Sequence, residues 1–196
     1  MTNYEENIKK IFFAATLEET AEGKFWYRKA KEAAQSIGDR TELPLRTVVG
    51  VVAALSPTNK WEKNVRDAGS LCEAFVSGGY KEEVSCSTYN KMKDKAWTIL
   101  QETDATEGEI AAILNGPKIT DFFWCIMGHN TCVIDGHAWC IANDDRRAMQ
   151  EVPTIGKRVR QDLQEAYTKV GEKFGLKAYE MQAITWLAWR RIHGVA

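Results

Sequence analysis

The chain has 196 residues, a formal net charge of −1 and a hydrophobic fraction of 44%, which is enough apolar material to bury a sizeable core. Its balanced charge lacks the basic excess that is typical of proteins that bind DNA without sequence preference. No apolar run approaches the roughly 20 residues that a membrane span requires. The sequence therefore argues against a membrane protein and a general polyanion binder, while a local nucleic-acid site stays open.

Apolar residues recur at three- and four-residue spacing along most of the chain, which predicts an all-α fold of about nine or ten helices. In the first half we expect helices over 4–15, 17–36 (ended by Gly38-Asp39), 43–55, 60–77 and 88–101 (capped by Ser87). In the second half we expect helices over 110–114 (after a capping box at Thr106–Glu109), 117–127, 136–142, from Thr154 or Gly156 to about 173, and 177–192. No alternating strand pattern is present.

Residues 43–55 are almost wholly apolar, and Pro44 suits the start of a helix. We expect this helix to be buried on most sides, in a core lobe over about residues 43–142. Because chain ends often lie close together, the N-terminal helices and the C-terminal helices 155–193 are expected to pack together within one domain, 1–196. Trp186 and Trp189, three residues apart on the last expected helix, are assigned to the core.

Five cysteines are present, without a Cys-x-x-Cys pair, and the first residues are acidic. An odd, scattered set argues against a disulfide framework, a zinc ribbon and an iron–sulfur cluster. The acidic start does not resemble a targeting segment. We therefore expect buried thiols in a reduced, cytoplasmic setting, with no metal and no cofactor.

The segment Leu114–Lys118 predicts a helix end, a tight Gly-Pro turn and a second helix that opens at Lys118. Gly116 permits a positive φ, and the first N–H groups of the second helix suit a phosphate oxygen. Asn115 and Gly116 are therefore candidate phosphate-binding residues. Lys118 is a candidate catalytic amine if it is desolvated, or else a phosphate contact. A plain corner between two helices is the alternative.

Asp135 follows the apolar pair Val133-Ile134 and precedes Gly136 at the expected start of a helix. An Asp at this position is a typical N-cap. A carboxylate held in this way stays ionised, so it can also stabilise positive charge on a sugar carbon or accept a proton from a nucleophile. Asp135 is the main catalytic candidate.

Two further groups are candidates for a base pocket or for filling the gap that an extruded base leaves. One group, at the end of helix 43–55, contains Asn59, Trp61 and Asn64; the other, beside Asp135, contains His137 and Trp139. The alternatives are helix capping, surface packing and a buried hydrogen-bonded histidine.

Basic residues follow Gly156 at an expected helix start, where Lys157 and Arg158 are candidate phosphate contacts. Other basic pairs are Arg146-Arg147 and Arg190-Arg191. A solvated charged face is the alternative for all of them.

In their order, these segments resemble the helix–hairpin–helix DNA glycosylase superfamily, which includes endonuclease III and 8-oxoguanine DNA glycosylase. Leu114–Lys118 is similar to the family hairpin Leu-Pro-Gly-Val-Gly-x-Lys, and Val133–Trp139 to its Val-Asp-x-His segment. Ala54–Ser56 is similar to the helix that ends in Leu-Ser before an Asn- or Gln-bearing loop, and Lys93–Ala96 to a Lys-Ala helix start. The resemblance covers about residues 48–142.

The resemblance implies a helical bundle of two lobes with a cleft, acting in DNA repair on a flipped modified or damaged base. The hairpin would hold a DNA phosphate, and Asp135 would assist N-glycosidic bond cleavage by water, or by Lys118 if the enzyme is also an AP lyase.

Three departures from the family pattern predict a divergent branch: one hairpin glycine, no iron–sulfur cysteines and no basic charge. Small phage-encoded members, some proposed to act on hypermodified thymine, are also similar and would work in the host cytoplasm. Two other functions stay open: base hypermodification on the same fold, and non-catalytic binding of a nucleotide or modified DNA.

Overall fold

The structure is a computed structural model and describes residues 3–195. Within this range all regular structure is helical and no β-strand occurs, which confirms the predicted all-α class. The ten α-helices are α1 (Tyr4–Phe13), α2 (Leu17–Thr41), α3 (Leu45–Leu55), α4 (Trp61–Val76), α5 (Asn90–Gln101), α6 (Glu107–Leu114), α7 (Pro117–Met127), α8 (Gly136–Asn143), α9 (Lys157–Lys173) and α10 (Ala178–His193). Short 3₁₀ helices span Lys81–Glu83 and Met149–Glu151.

The expected end of α2 at Gly38-Asp39 is wrong, because the helix continues to Thr41 and the chain leaves it at Glu42, with φ 57°. Gly38 is needed for a close approach instead: a Cβ there would lie 2.9 Å from the carbonyl oxygen of Leu43. The Leu43 N–H donates to the Gly38 carbonyl at 3.2 Å, so the chain doubles back onto this position.

The described chain divides into two compact units, here called the terminal unit (Met1–Arg28 with Gly128–Ala196) and the middle unit (Lys29–Met127). This division differs from the expected core lobe of 43–142, because α8 belongs to the terminal unit. Its Ala138, Cys140 and Ile141 are fully buried in a core shared with α1, α9 and α10. The buried apolar side chains of α8 therefore place this helix in the terminal unit, although it directly follows α7 of the middle unit in the sequence.

In the terminal unit, α1 packs against α8, α9 and α10. Ile8, Tyr167 and Met181 lie fully buried in this core. The backbones of α2 and α10 come into direct contact at Gly23, since a Cβ there would lie 2.6 Å from the backbone nitrogen of Ile184. A side chain larger than hydrogen has no space at this crossing.

In the middle unit, α3 is the central helix and contacts α4, α5, α6 and α7. Every residue from Thr47 to Leu55 is buried, which confirms the expectation from its apolar run, and Pro44 occupies the N-cap position. A Cβ on Gly50 would lie 2.7 Å from Ile110 Cγ2, so α6 packs directly on the α3 backbone. The helices that carry the candidate turn are therefore fixed by contact with α3.

No helix in the described range combines the length and the apolar character that crossing a membrane requires.

Candidate functional site

The turn between α6 and α7 has the predicted helix–turn–helix form, with one correction. Positive φ was expected at Gly116, but the left-handed residue is Asn115, with φ 40° and ψ 47°. The Asn115 N–H donates to the Ala111 carbonyl at 3.1 Å, which closes α6. A Cβ on Gly116 would lie 3.3 Å from Ile119 Cγ1, so glycine here serves a close approach. Asn is the residue type besides Gly that tolerates this backbone conformation best.

The start of α7 offers backbone donors. Pro117 occupies the first helical position, and the first intrahelical bond runs from the Thr120 N–H to the Gly116 carbonyl at 2.9 Å. The N–H groups of Lys118 and Ile119 therefore precede the hydrogen-bonded turns, at the positive end of the helix. The Lys118 side chain is exposed, which favours a phosphate contact over a desolvated amine nucleophile.

Lys95, on α5, contacts this turn and is not among the binding residues predicted from the sequence. Its ammonium donates to the carbonyl of Leu114, the last residue of α6. This contact fixes the end of α6 and brings a half-buried positive charge beside the turn. Lys95 is 19 positions before Leu114, so the local sequence does not indicate that the two residues meet. Their contact results from the packing of α5 against α6.

Asp135, in the terminal unit, is the N-cap of α8. Its Oδ1 accepts a hydrogen bond from the Ala138 N–H at 2.8 Å. Its Oδ2 accepts no hydrogen bond from the described residues. The residue is half-buried, and its carboxylate is oriented through Oδ1 alone.

Aromatic and arginine side chains surround the first turns of α8. His137 is half-buried, its ring centroid lies 6.4 Å from that of Trp186 at an interplanar angle of 80°, and its Nδ1 is buried without a partner among the described residues. The Arg190 guanidinium lies 4.3 Å from the Trp186 ring centroid, and that of Arg147 lies 5.2 Å from the Trp139 ring centroid. Such planar pairs can stack on a base or contact a phosphate.

Trp186 and Trp189 were both assigned to the core, and only the second assignment is confirmed. Trp189 is 3% exposed, whereas Trp186 is half-buried. Their three-residue spacing places them on neighbouring but not identical faces of α10. The sequence pattern alone does not separate the two positions.

Asn59, Trp61 and Asn64 lie in the middle unit, where α3 leads into α4. Asn64 is 2% exposed and donates from Nδ2 to the Val52 carbonyl at 3.1 Å, so it has almost no surface to offer a base. Asn59 is half-buried and donates from Nδ2 to Asp67 Oδ2 at 3.0 Å. Trp61 opens α4 and is half-buried, and its ring centroid lies 6.5 Å from that of Phe122 at an interplanar angle of 88°. Asp67, which was not predicted from the sequence, accepts hydrogen bonds from Asn59, Lys63 and Ser87.

Lys157 and Arg158 are the first two residues of α9, and both are exposed. Gly156 is the N-cap and provides no side-chain hydrogen bond, so the first N–H groups of α9 stay open. The candidates thus divide between the two units. The terminal unit holds Asp135, His137, Trp139, Lys157 and Arg158, and the middle unit holds Asn59, Trp61, Asn64, Asn115, Gly116 and Lys118.

A family model described as "Family of unknown function (DUF7178)" matches residues 1–193. The chain belongs to the DUF7178 family. No curated protein and no solved structure shows a significant match.

The cysteines of this DUF7178 member are free thiols, and all but Cys86 are buried. Burial raises the pKa of the Cys72 thiol to about 12, and burial also raises the pKa of Cys86 and Cys140. These thiols are protonated at neutral pH, which removes them as nucleophiles. Among residues 3–195, no group of three or more His, Cys, Asp or Glu side chains is arranged to hold a metal ion.

Proposed function

We propose that the chain is a DNA glycosylase-like enzyme that removes a modified or damaged base by hydrolysis of the N-glycosidic bond. The observation that carries this proposal is the Asp135 carboxylate, held by Oδ1 at the start of α8 with Oδ2 free. As the bond from C1′ to the base breaks, positive charge develops on the sugar, and a fixed anion stabilises it. Oδ2 accepts a proton from the attacking water, whose oxygen bonds to C1′ while the base leaves with the bond's electron pair. Hydrolysis of this kind requires no cofactor.

DNA would be held by backbone and side-chain donors that suit phosphate. In the middle unit these are the N–H groups at the start of α7 with the ammonium groups of Lys118 and Lys95; in the terminal unit they are Lys157 and Arg158. Most of the affinity of DNA-binding proteins comes from such contacts. Because the formal net charge of the chain is −1, these basic groups would act as local phosphate sites on a surface without an overall positive charge.

The test is base release. The full chain would be incubated with duplexes that carry deaminated, oxidised, alkylated or 5-substituted bases and with genomic DNAs, and mass spectrometry would measure free base and abasic sites. Asp135→Asn is the decisive variant because Asn is as good an N-cap as Asp, so the charge is lost and the helix start is kept. Asp162→Asn, at an exposed position of α9, is the matched control. Release by the wild type and Asp162→Asn but not by Asp135→Asn is the expected result.

The same samples separate the other two functions. Nucleosides of altered mass without base release would replace the proposal with base hypermodification. Intact DNA that stays bound would replace it with a binding protein. Release that persists at the wild-type rate in Asp135→Asn would contradict the assigned role of the carboxylate.

A further inference from the structure

Two buried side-chain oxygens lie where α3 leads into α4 and accept no hydrogen bond from the described residues. They are the Oδ1 atoms of Asn59 and Asn64. Asn64 is 2% exposed, and Asn59 is half-buried. A buried amide oxygen without a donor is costly, and most such atoms in folded proteins have a partner. The orientation and surroundings of these two oxygens therefore show which ligand they can bind.

The other end of each amide fixes its orientation. Asn64 donates from Nδ2 to the Val52 carbonyl at 3.1 Å. Asn59 donates from Nδ2 to Asp67 Oδ2 at 3.0 Å. If either amide were turned around, its oxygen would face another oxygen and the hydrogen bond would be lost. A flip therefore cannot satisfy the two Oδ1 atoms, and each of them needs a donor or a cation from elsewhere.

Shared neighbours place the two amides close together. Asn59 also makes a long contact from Nδ2 to the Leu55 carbonyl, at 3.4 Å. Leu55 is three positions after Val52 on α3, so the carbonyls that the two amides bind belong to neighbouring residues of one helix. Asn64 and Asp67 are likewise neighbours on α4. Because Asn59 binds Asp67, both amides adjoin the same carboxylate at the C-terminal end of α3.

The electrostatic surroundings favour a positive charge at this place. The C-terminal end of a helix carries the negative end of its dipole, and α3 ends at Leu55. Asp67, whose side chain is 6% exposed, adds a carboxylate. Its Oδ2 also accepts from the Ser87 N–H at 2.8 Å, and its Oδ1 accepts from Lys63 Nζ at 3.2 Å. The Lys63 ammonium balances part of the negative charge, so the remaining field suits a singly charged ion better than a divalent one.

The available ligand atoms indicate an alkali cation. Both free ligands are neutral amide oxygens, and each oxygen of Asp67 already accepts a hydrogen bond. Neutral carbonyl oxygens replace the hydration shell of K⁺ in channels, whereas Ca²⁺ and Mg²⁺ sites are built on carboxylates. The Cys86 thiol, whose charge would be felt by Asp67, offers no thiolate to a softer metal, because burial raises its pKa.

We propose that Asn59 and Asn64 bind a monovalent cation, K⁺ or Na⁺, through their Oδ1 atoms beside Asp67 at the C-terminal end of α3. Water completes the coordination of the ion. Because Asn59 lies in the turn after α3 and Asn64 lies on α4, the ion joins these two segments and stabilises the folded chain. The site is independent of the proposed base excision, since it involves neither Asp135 nor the start of α7.

The test is the melting temperature of the full chain at constant ionic strength, with choline chloride exchanged for KCl or NaCl. A ligand that binds only the folded state raises this temperature, and we expect a rise of about 4 °C at an ion concentration about ten times Kd. Asn64→Leu, which lacks the buried oxygen, should melt at the same temperature in all three salts. Asn7→Leu is the matched control and should keep the rise, because Asn7 Nδ2 also donates to a helix carbonyl, that of Ala142 at 2.8 Å.

Direct binding is measured by thallium NMR, with Tl⁺ as a probe that replaces K⁺ at oxygen sites. Wild type is expected to shift and broaden the Tl⁺ resonance, KCl or NaCl to reverse the change, and Asn64→Leu to leave the resonance as it is. If Asn64→Leu does not fold, Asn59→Ala, at a half-buried position, takes its place. Lys63→Met removes the competing ammonium and is expected to lower Kd for Tl⁺ about threefold.

Four results would overturn the proposal. Equal wild-type melting temperatures in choline, potassium and sodium chloride would show that water satisfies the two oxygens. A rise that persists in Asn64→Leu would place the ion elsewhere. A rise with MgCl₂ but with neither KCl nor NaCl would assign the site to a divalent ion. An unchanged or higher Kd in Lys63→Met would contradict the place of the ion beside Asp67.

Discussion

The N–H of Ala138 donates to Asp135 Oδ1 at 2.8 Å, so one hydrogen bond both caps α8 and fixes the direction of the free Oδ2. Stability and chemistry therefore depend on the same side chain but on different properties of it. The cap needs an acceptor oxygen, and the proposed reaction needs a charge.

Substitutions at Asp135 should separate these two properties. Asp135→Ala is expected to lower the free energy of unfolding by about 1 kcal/mol, whereas Asp135→Asn should change it by only a few tenths, because Asn caps as well as Asp. Urea denaturation of both variants measures the difference. Equal losses in the two variants would show that the charge, and not the hydrogen bond, stabilises α8.

The crossing of α2 and α10 predicts a steric effect. Gly23→Ala would place a Cβ 2.6 Å from the Ile184 backbone nitrogen, and backbone cannot rotate away as a side chain can. We expect a loss of roughly 1–3 kcal/mol of unfolding free energy. Gly108→Ala on α6, whose Cβ would meet nothing nearer than 4.0 Å, is the control and should be neutral or stabilising by about 0.5 kcal/mol. A wild-type melting temperature for Gly23→Ala would show that the two helices can separate without cost.

Lys95 gives a prediction for DNA affinity. Lys95→Met keeps the length of the side chain but removes the ammonium that donates to Leu114. If this charge lies beside a bound phosphate, Kd for duplex DNA rises about tenfold, and the slope of log Kd against log salt falls by about one. Lys29→Met, at an exposed position of the same unit, should leave both unchanged. A weaker affinity with an unchanged salt slope would assign Lys95 to fold stability alone.

Cys72 predicts a dependence of stability on alkaline pH. Burial raises its pKa from the ordinary 9.0 to about 12 in the folded chain, so between these values the unfolded chain loses a proton that the folded chain keeps. The stabilisation is complete below pH 9, and the free energy of unfolding then falls by roughly 1 kcal/mol per pH unit as pH rises. Cys72→Ala should flatten this slope between pH 9 and 10.5, measured by urea denaturation. An unchanged slope in Cys72→Ala would assign the alkaline loss of stability to other groups.

The sequence predicted the parts of the fold whose signals are local. The apolar run of α3, the capping box before α6 and the Gly-Pro start of α7 each determine structure within one or two turns, and each is present. The end of α2 was mispredicted at Gly38 because glycine is common at helix ends, whereas here it permits contact with Leu43, five positions later. That contact has no local signature.

Residues that act through distant partners were missed or misjudged. Ser87 was expected to cap α5, but its N–H donates to Asp67, and Tyr89 occupies the N-cap position without a side-chain hydrogen bond. The pairing spans 20 positions and depends on how α4 is placed beside the segment that precedes α5. Lys95 was missed for the same reason. The sequence pattern predicted the helix start at Asp135 and the turn at Asn115. It did not predict which side chains from other helices would lie beside them.

The half-buried indoles of Trp139 and Trp186 each carry an arginine on one face, and Trp186 meets the edge of His137. Indole emission shifts with the polarity of its surroundings, and a purine or pyrimidine stacked on either ring would quench it. If a nucleotide binds near Asp135, as proposed, we expect its arrival to change the wavelength and intensity of the tryptophan fluorescence of the unlabelled protein.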